Sequence, residues 1–204
     1  MHDEQITAGL PGRGVVRTLK RHEMPLLREH LLRLDTESRR DRFNGFADEG
    51  FIERYADKCR ADGTVIIAYI EDGMVQAAAE LHPPDEPGSL AEIAFSVERQ
   101  VRRKGLGSVL FRELIAQAKL KGYASLRITT GAQNDAMRSL ANKFGAHLTF
   151  RQGESSGQID LREQSAEVIR PSPFNPVEIV PAMMRFNREY WNLMWRMSGW
   201  GRAA

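Results

Sequence analysis

Cysteine is nearly absent: Cys59 stands alone in 204 residues. One thiol cannot close a disulfide within the chain, nor build a cysteine-rich zinc cage. Long apolar runs are missing as well. The longest, Val65–Ile70, is six residues, against the roughly 20 that a membrane-spanning helix needs. The N-terminus has no basic start followed by an apolar stretch, so no signal peptide is expected and the cytoplasm is the expected location. An excess of one charge is missing too. Lys+Arg 29 against Asp+Glu 27 leaves +2, which argues against a general nucleic-acid binder; any positive field must be local. Neither an internal repeat nor a low-complexity tract is present. What remains is an ordinary globular composition, 42% hydrophobic and 27% charged, in a chain long enough to bury a core without staples.

Residues 1–13 read as a loose leader. Gly14–Lys20 is a short β-branched strand. His22–Leu34 places Leu26, Leu27, Leu31, Leu32 and Leu34 at helical spacing. Thr36–Phe43 is polar and Arg-rich, and Asp48–Arg60 is a second helix. Thr64–Ile70 and Met74–Leu81 are strands joined by Glu71-Asp72-Gly73, a tight-hairpin signal. His82–Ser89 holds three Pro and a Gly and reads as a loop. Ala91–Val97 is a further strand. Leu106–Lys121 is a helix stopped by Gly122, and Asn134–Phe144 a helix stopped by Gly145. Ser125–Thr130, His147–Arg151 and Gln158–Leu161 are strands, the last two around a Gly-Glu-Ser-Ser-Gly turn. This order predicts an α+β fold with a mixed sheet.

The most informative segment is Ser96–Ser108, S-V-E-R-Q-V-R-R-K-G-L-G-S. A strand ends, a basic turn follows, and Gly105 and Gly107 open a long helix. Glycines let backbone approach a ligand. The first helical turn offers unpaired N–H groups and a positive dipole end, which suit phosphate oxygens. Arg102, Arg103 and Lys104 add positive charge. Walker and dinucleotide fingerprints are both absent. Taken alone, the loop also fits a solvated basic turn.

Arg102–Gly107, R-R-K-G-L-G, resembles the [RQ]-x-x-G-x-[GA] motif of the GNAT superfamily of N-acetyltransferases. Asn134–Ala146, N-D-A-M-R-S-L-A-N-K-F-G-A, resembles the superfamily's second signature, at the expected separation of one helix and one strand. The resemblance covers about residues 14–161 and implies a mixed, mostly antiparallel central sheet flanked by helices. Arg33–Phe43, R-L-D-T-E-S-R-R-D-R-F, is similar to the L-S-x-E-S-R-x-x-R-F segment of bacterial protein-lysine acetyltransferase domains, with Asp35 where that pattern has Ser. A salt-bridged helix–helix connection explains the same segment.

The resemblance implies acetyl-CoA as the acetyl donor and an amine, small molecule or protein lysine, as the acceptor, attacking directly without a covalent enzyme intermediate. Pyrophosphate would sit on the backbone of Arg102, Arg103, Lys104, Gly105, Leu106 and Gly107, with Ser108 beside it. Pantetheine would run along Phe95, Ser96 and Val97, and Asn134 would contact it. No metal is implied. Glu92, in the apolar strand A-E-I-A-F, is the candidate general base; Glu80 and His82 are reserves. Many relatives follow the Leu of the second motif helix with a Tyr that protonates the leaving thiolate. Here Leu140 is followed by Ala141, and Tyr123 and Tyr69 have no positional support. That absence keeps a non-catalytic acyl-CoA sensor open as an alternative to an enzyme; a protein-interaction module that works through the C-terminal tail, with the fold as scaffold, is a third reading.

Residues 162–204 differ in character. Residues 171–181 are Pro-rich and read as an extended strap. Ala182–Met197 reads as a C-terminal helix, and Ala182–Trp200 holds all three Trp and four of the eight Met. Three readings stand for it: a cover for the chain's own core, a homodimer contact, or membrane-surface docking.

Overall fold

A computed structural model describes residue 10 and residues 12–86, 88–151 and 153–162. Most of the leader, the Pro-rich strap and the C-terminal helix expected from the sequence lie outside the described residues. So does the homodimer contact.

The element order is β1 (Val15–Thr18), α1 (Met24–Arg33), α2 (Thr36–Phe43), α3 (Glu49–Asp62), β2 (Val65–Glu71), β3 (Met74–His82), β4 (Ala91–Val97), α4 (Leu106–Leu120), β5 (Ser125–Gly131), α5 (Asp135–Lys143), β6 (His147–Arg151) and β7 (Glu154–Asp160). One seven-stranded sheet runs β1-β2-β3-β4-β5-β7-β6. Every neighbouring pair is antiparallel except β4–β5. The expected α+β architecture is present.

Local chemistry explains the boundaries. Asp48 accepts the Phe51 N–H at 2.7 Å and starts α3, which Gly63 ends at φ 72°. Asp72 and Gly73, at φ 51° and 75°, close the β2–β3 hairpin in the left-handed region that such a turn requires. Two expectations are corrected. Thr36–Phe43 is a helix rather than a connection: Asp35 caps it by accepting from the Ser38 N–H at 3.0 Å, a local signal that outweighs its lack of an apolar face. Glu154–Gly157, expected as part of a turn, belongs to β7, paired through Gly131↔Glu154 to Ile128↔Gly157.

The sheet is covered on both faces. α4 buries Leu106, Leu110, Phe111, Leu114, Ile115 and Ala118 at i, i+4 spacing against Ala77, Ala79, Leu81, Ala91 and Ile93. The opposite face meets α1 and α3 through Leu27, Leu31, Ile52 and Ala56. Phe95 of β4 stacks on Phe111 of α4 at 4.9 Å, and Phe111 stacks on Phe144 at the end of α5 at 4.2 Å. This stack ties β4 to both helices whose sequences carry the motifs.

Candidate active site

β4 and β5 pair only through Ala91↔Leu126, Glu92↔Arg127 and Ile93↔Ile128. Beyond that point β4 continues beside β3 to Val97↔Ala77, and β5 continues beside β7 to Gly131↔Glu154. Ala94–Val97 therefore has no strand partner on its β5 side. An unpaired edge inside a sheet leaves peptide donors and acceptors that need another peptide-like partner.

The loop after β4 points to the same opening. Arg103 at φ 58° and Gly105 at φ 82° turn the chain through two left-handed positions, and α4 starts at Leu106. The N–H groups of residues 103–107 have no hydrogen-bond partner among the described residues. Alternating left-handed backbone at a helix N-terminus makes an anion cradle. Gly107 has a second role: a Cβ there would stand 3.1 Å from Leu140 Cδ2, so its hydrogen lets α5 approach α4. Lys143 of α5 donates to Ser108 Oγ at 3.0 Å, placing a cation beside the cradle that the sequence reading missed.

The remaining site residues take distinct positions. The Arg102 guanidinium donates to the Val97 carbonyl at 2.9 Å and to Ser38 Oγ at 2.6 Å, so it braces the loop against α2. Arg103 and Lys104 are exposed, and Leu106 is buried. Asn134 caps α5, its Oδ1 accepting from the Met137 N–H at 3.0 Å. α2 crosses the mouth of the opening: Ser38 reaches the end of β4 through Arg102, and Asn44 Nδ2 donates to Glu154 of β7 at 3.3 Å.

Glu92 is half-buried, with His82 and Arg127 as cross-strand neighbours. Register puts it on the sheet face that α1, α2 and α3 cover, the face of Glu80 and Ser96. Glu80 is closed as a reserve base. Its Oε1 pairs with Arg42 at 2.7 Å, and its Oε2 accepts from the Tyr55 hydroxyl at 2.5 Å. Burial opposes its charge, but Arg42, His82 and Tyr55 together hold the carboxyl well below the usual range. The His82 ring lies 3.1 Å from the Tyr55 hydroxyl and 3.2 Å from Thr64 Oγ1. Cys59, Glu80 and His82 bring ligand atoms within 4.8 Å of one another. Arg42 already neutralises that carboxylate, so the cluster does not suit a divalent cation. Burial pushes the Cys59 thiol up to about 12, which leaves it inert.

Among the described residues, the tyrosines are engaged or placed elsewhere: the Tyr55 hydroxyl donates to Glu80. Ala141 is fully buried. Tyr69 is buried with its hydroxyl against Gly14, and Tyr123 follows the far end of α4.

The family model of the acetyltransferase (GNAT) family matches residues 31–146, more than half of the chain. The chain belongs to the GNAT family. Among solved structures, the GNAT domain of S. lividans PAT matches at TM-score 0.65 and 19% identity, over 78% of this chain and 96% of that one. YncA, a putative acetyltransferase from Salmonella typhimurium solved with its cofactor acetyl-CoA, matches at 0.55 and 17% identity over 79% and 99%. The PaiA N-acetyltransferase from Thermoplasma acidophilum, in complex with coenzyme A, matches at 0.52 and 17% over 71% and 97%. At these identities the structures speak to fold alone. Membership of the GNAT family supports acetyl-CoA-dependent acetyl transfer, with acetyl-CoA as co-substrate. The cradle and open β4 edge fit that molecule: N–H groups for the pyrophosphate, unpaired strand edge for the amides of pantetheine. Among the described residues no helix is long and apolar enough to cross a membrane.

Proposed function

We propose that the protein transfers the acetyl group of acetyl-CoA to a primary amine, a small molecule or a protein lysine, by direct attack. The observation that carries this reading is the opening between β4 and β5, flanked by the anion cradle at one end and by Glu92 beside its vertex at Ile93↔Ile128. Acetyl-CoA supplies an activated acyl group with a thiolate leaving group. The N–H groups of residues 103–107 bind the pyrophosphate, with Arg103, Lys104 and Lys143 adding charge. Residues 95–97 hold the pantetheine by strand-like hydrogen bonds, and Asn134 borders it from α5.

Direct attack requires a neutral amine, because an ammonium has no lone pair. Glu92 removes that proton, directly or through water. Its place on a half-buried strand near the vertex, on the face crossed by α2, supports this role. The resemblance of Arg33–Phe43 to protein-lysine acetyltransferase segments favours a lysine among the amines.

A non-catalytic acyl-CoA sensor is the second reading, favoured by the buried Ala141 where relatives carry a tyrosine. Calorimetry with acetyl-CoA, followed by turnover against a panel of amines and lysine peptides, separates the two. Binding with release of free CoA supports the transferase. Binding with no turnover of any amine would move the assignment to the sensor.

A further inference from the structure

His30 of α1 is wholly buried and faces β4. Its Nδ1 lies 2.9 Å from Glu98 Oε1, and its Nε2 lies 2.8 Å from Ser96 Oγ. The Glu98 carboxylate is fixed from three further directions. Arg33 donates to Oε1 from Nε at 3.2 Å and from a terminal nitrogen at 3.0 Å, and Gln100 Nε2 donates to Oε2 at 2.5 Å. Burial opposes the charge of Glu98, but His30, Gln100 and Arg33 outweigh it, so the carboxyl is held below its usual range. Ser96 sits on the stretch of β4 that has no partner on its β5 side. Serine hydroxyl, imidazole and oriented carboxylate form a continuous chain on the α1 side of that unpaired stretch.

The chain has two chemical states. Glu98 is only an acceptor when ionised, so Nδ1 carries hydrogen in both. When the imidazole is neutral, Nε2 accepts the Ser96 O–H and the hydroxyl proton points inward. When the imidazole is charged, Nε2–H donates to Ser96 Oγ, and the hydroxyl is free to donate outward.

We propose that Glu98, His30 and Ser96 form a proton relay that protonates the departing sulfur of CoA, the role that Ala141 cannot fill. The inference rests on the acetyl-transfer reading. As the C–S bond breaks and its electron pair goes to sulfur, Ser96 gives its hydroxyl proton to that sulfur. His30 passes its Nε2 proton to Ser96 Oγ and becomes neutral. Glu98 stays ionised and keeps Nδ1–H in place. His30 regains a proton along the same path once product leaves and water enters. Charged groups facing His30 are Glu98 and Arg33, so the relay acts as an acid at pH values where the imidazole is charged, and fails above them.

The test uses the full chain with Ser96→Ala, Ser96→Thr and His30→Gln. Calorimetry reads acetyl-CoA binding, steady-state kinetics read a pH profile with an amine that the parent accepts, and NMR of ¹⁵N-histidine-labelled protein reads the His30 ring. The expected result for Ser96→Ala is unchanged acetyl-CoA affinity, kcat lowered by about 10²-fold or more, and loss of the alkaline limb of the profile. Ser96→Thr keeps a hydroxyl and restores both. His30→Gln behaves like Ser96→Ala, and the parent shows an imidazolium at His30 across its active pH range. Parental kcat with an intact alkaline limb in Ser96→Ala overturns the relay. So does a neutral His30 throughout that range, or an acetyl group on Ser96 found by mass spectrometry after incubation with acetyl-CoA alone, which would make it a nucleophile. A parent that binds acetyl-CoA but acetylates no amine refutes the transfer reading instead, and the NMR spectrum still judges His30.

Discussion

Glu80 and Glu92 lie in adjacent strands on one face of the sheet, yet they are suited to opposite tasks. Glu80 is wholly buried and bound to Arg42 and Tyr55, so it stays ionised and holds α2 and α3 to the sheet. Removing Arg42 would strand that charge. Arg42→Leu is expected to cost about 3–5 kcal/mol, the usual scale for breaking a buried pair, measurable by urea denaturation. A loss below about 1 kcal/mol would mean that water reaches Glu80. Glu92 is half-buried beside His82 and Arg127. Glu92→Gln is expected to lower kcat by about 10²- to 10⁴-fold, leave acetyl-CoA affinity alone and flatten the acid limb of the pH profile. Parental kcat would pass the role to His82 or to solvent, since Glu80 cannot take it. Strand sequence marked Glu92 as a carboxylate in apolar surroundings and offered Glu80 only as a reserve. Which one is free to move a proton depended on Arg42 and Tyr55, which lie 38 and 25 positions before Glu80 in the chain.

α2 shows how one capping residue can position a short helix with no apolar face. Asp35 accepts from the backbone and hydroxyl of Ser38, and it pairs with Arg99 at 2.8 Å. The two Ser38 hydrogen bonds and Arg99 hold its carboxyl down at about 2, against 3.8 unperturbed. A folded-state pKa below the unfolded one contributes stability that is present above about 4 and is lost as pH falls toward 2. Acid unfolding of the parent should therefore steepen across that window, and Asp35→Asn should flatten it. Asp35→Ala, which removes the cap as well as the ion pair with Arg99, should cost about 0.5–2 kcal/mol at neutral pH. An identical acid-unfolding curve for the variant would remove Asp35 from the account. α4 begins differently, on a glycine at φ 82°. Gly105→Ala strains that position by about 1–2 kcal/mol, while Gly107→Val drives a side chain into Leu140 and over the cradle. Both variants should lose acetyl-CoA affinity by calorimetry. A Gly107→Val protein that binds like the parent would remove the cradle as the nucleotide site. Sequence spacing revealed the cradle; the α4–α5 contact at Gly107 needed coordinates, because nothing local says which helix passes overhead.

At the scale of the molecule, every residue assigned to the site falls between His30 and Lys143. Deleting residues 171–204 is therefore expected to leave acetyl-CoA binding intact. The Met- and Trp-rich composition of that segment predicts a change in association state or solubility, read by light scattering. A truncated chain that no longer binds acetyl-CoA would show that the site is incomplete without it. An unchanged particle mass and melting temperature would mean that the segment neither joins chains nor covers the core.

The amino-acid sequence by itself determined most of the strands and helices, the hairpin at Asp72-Gly73 and the glycine-rich turn at Arg102–Gly107 that opens α4. Each of these rests on interactions within a few residues: alternation, helical periodicity, left-handed turns and helix-end N–H groups. Only the tertiary structure decided what those elements do together. The parting of β4 from β5 after Ile93↔Ile128, the pairing of Glu80 with Arg42, the brace from Arg102 to Ser38, and the chain Glu98–His30–Ser96 all join residues far apart in sequence. Such contacts are set by how α1, α2 and α3 pack across one face of the sheet. Burial there makes each polar group find a partner, and no local pattern names that partner in advance.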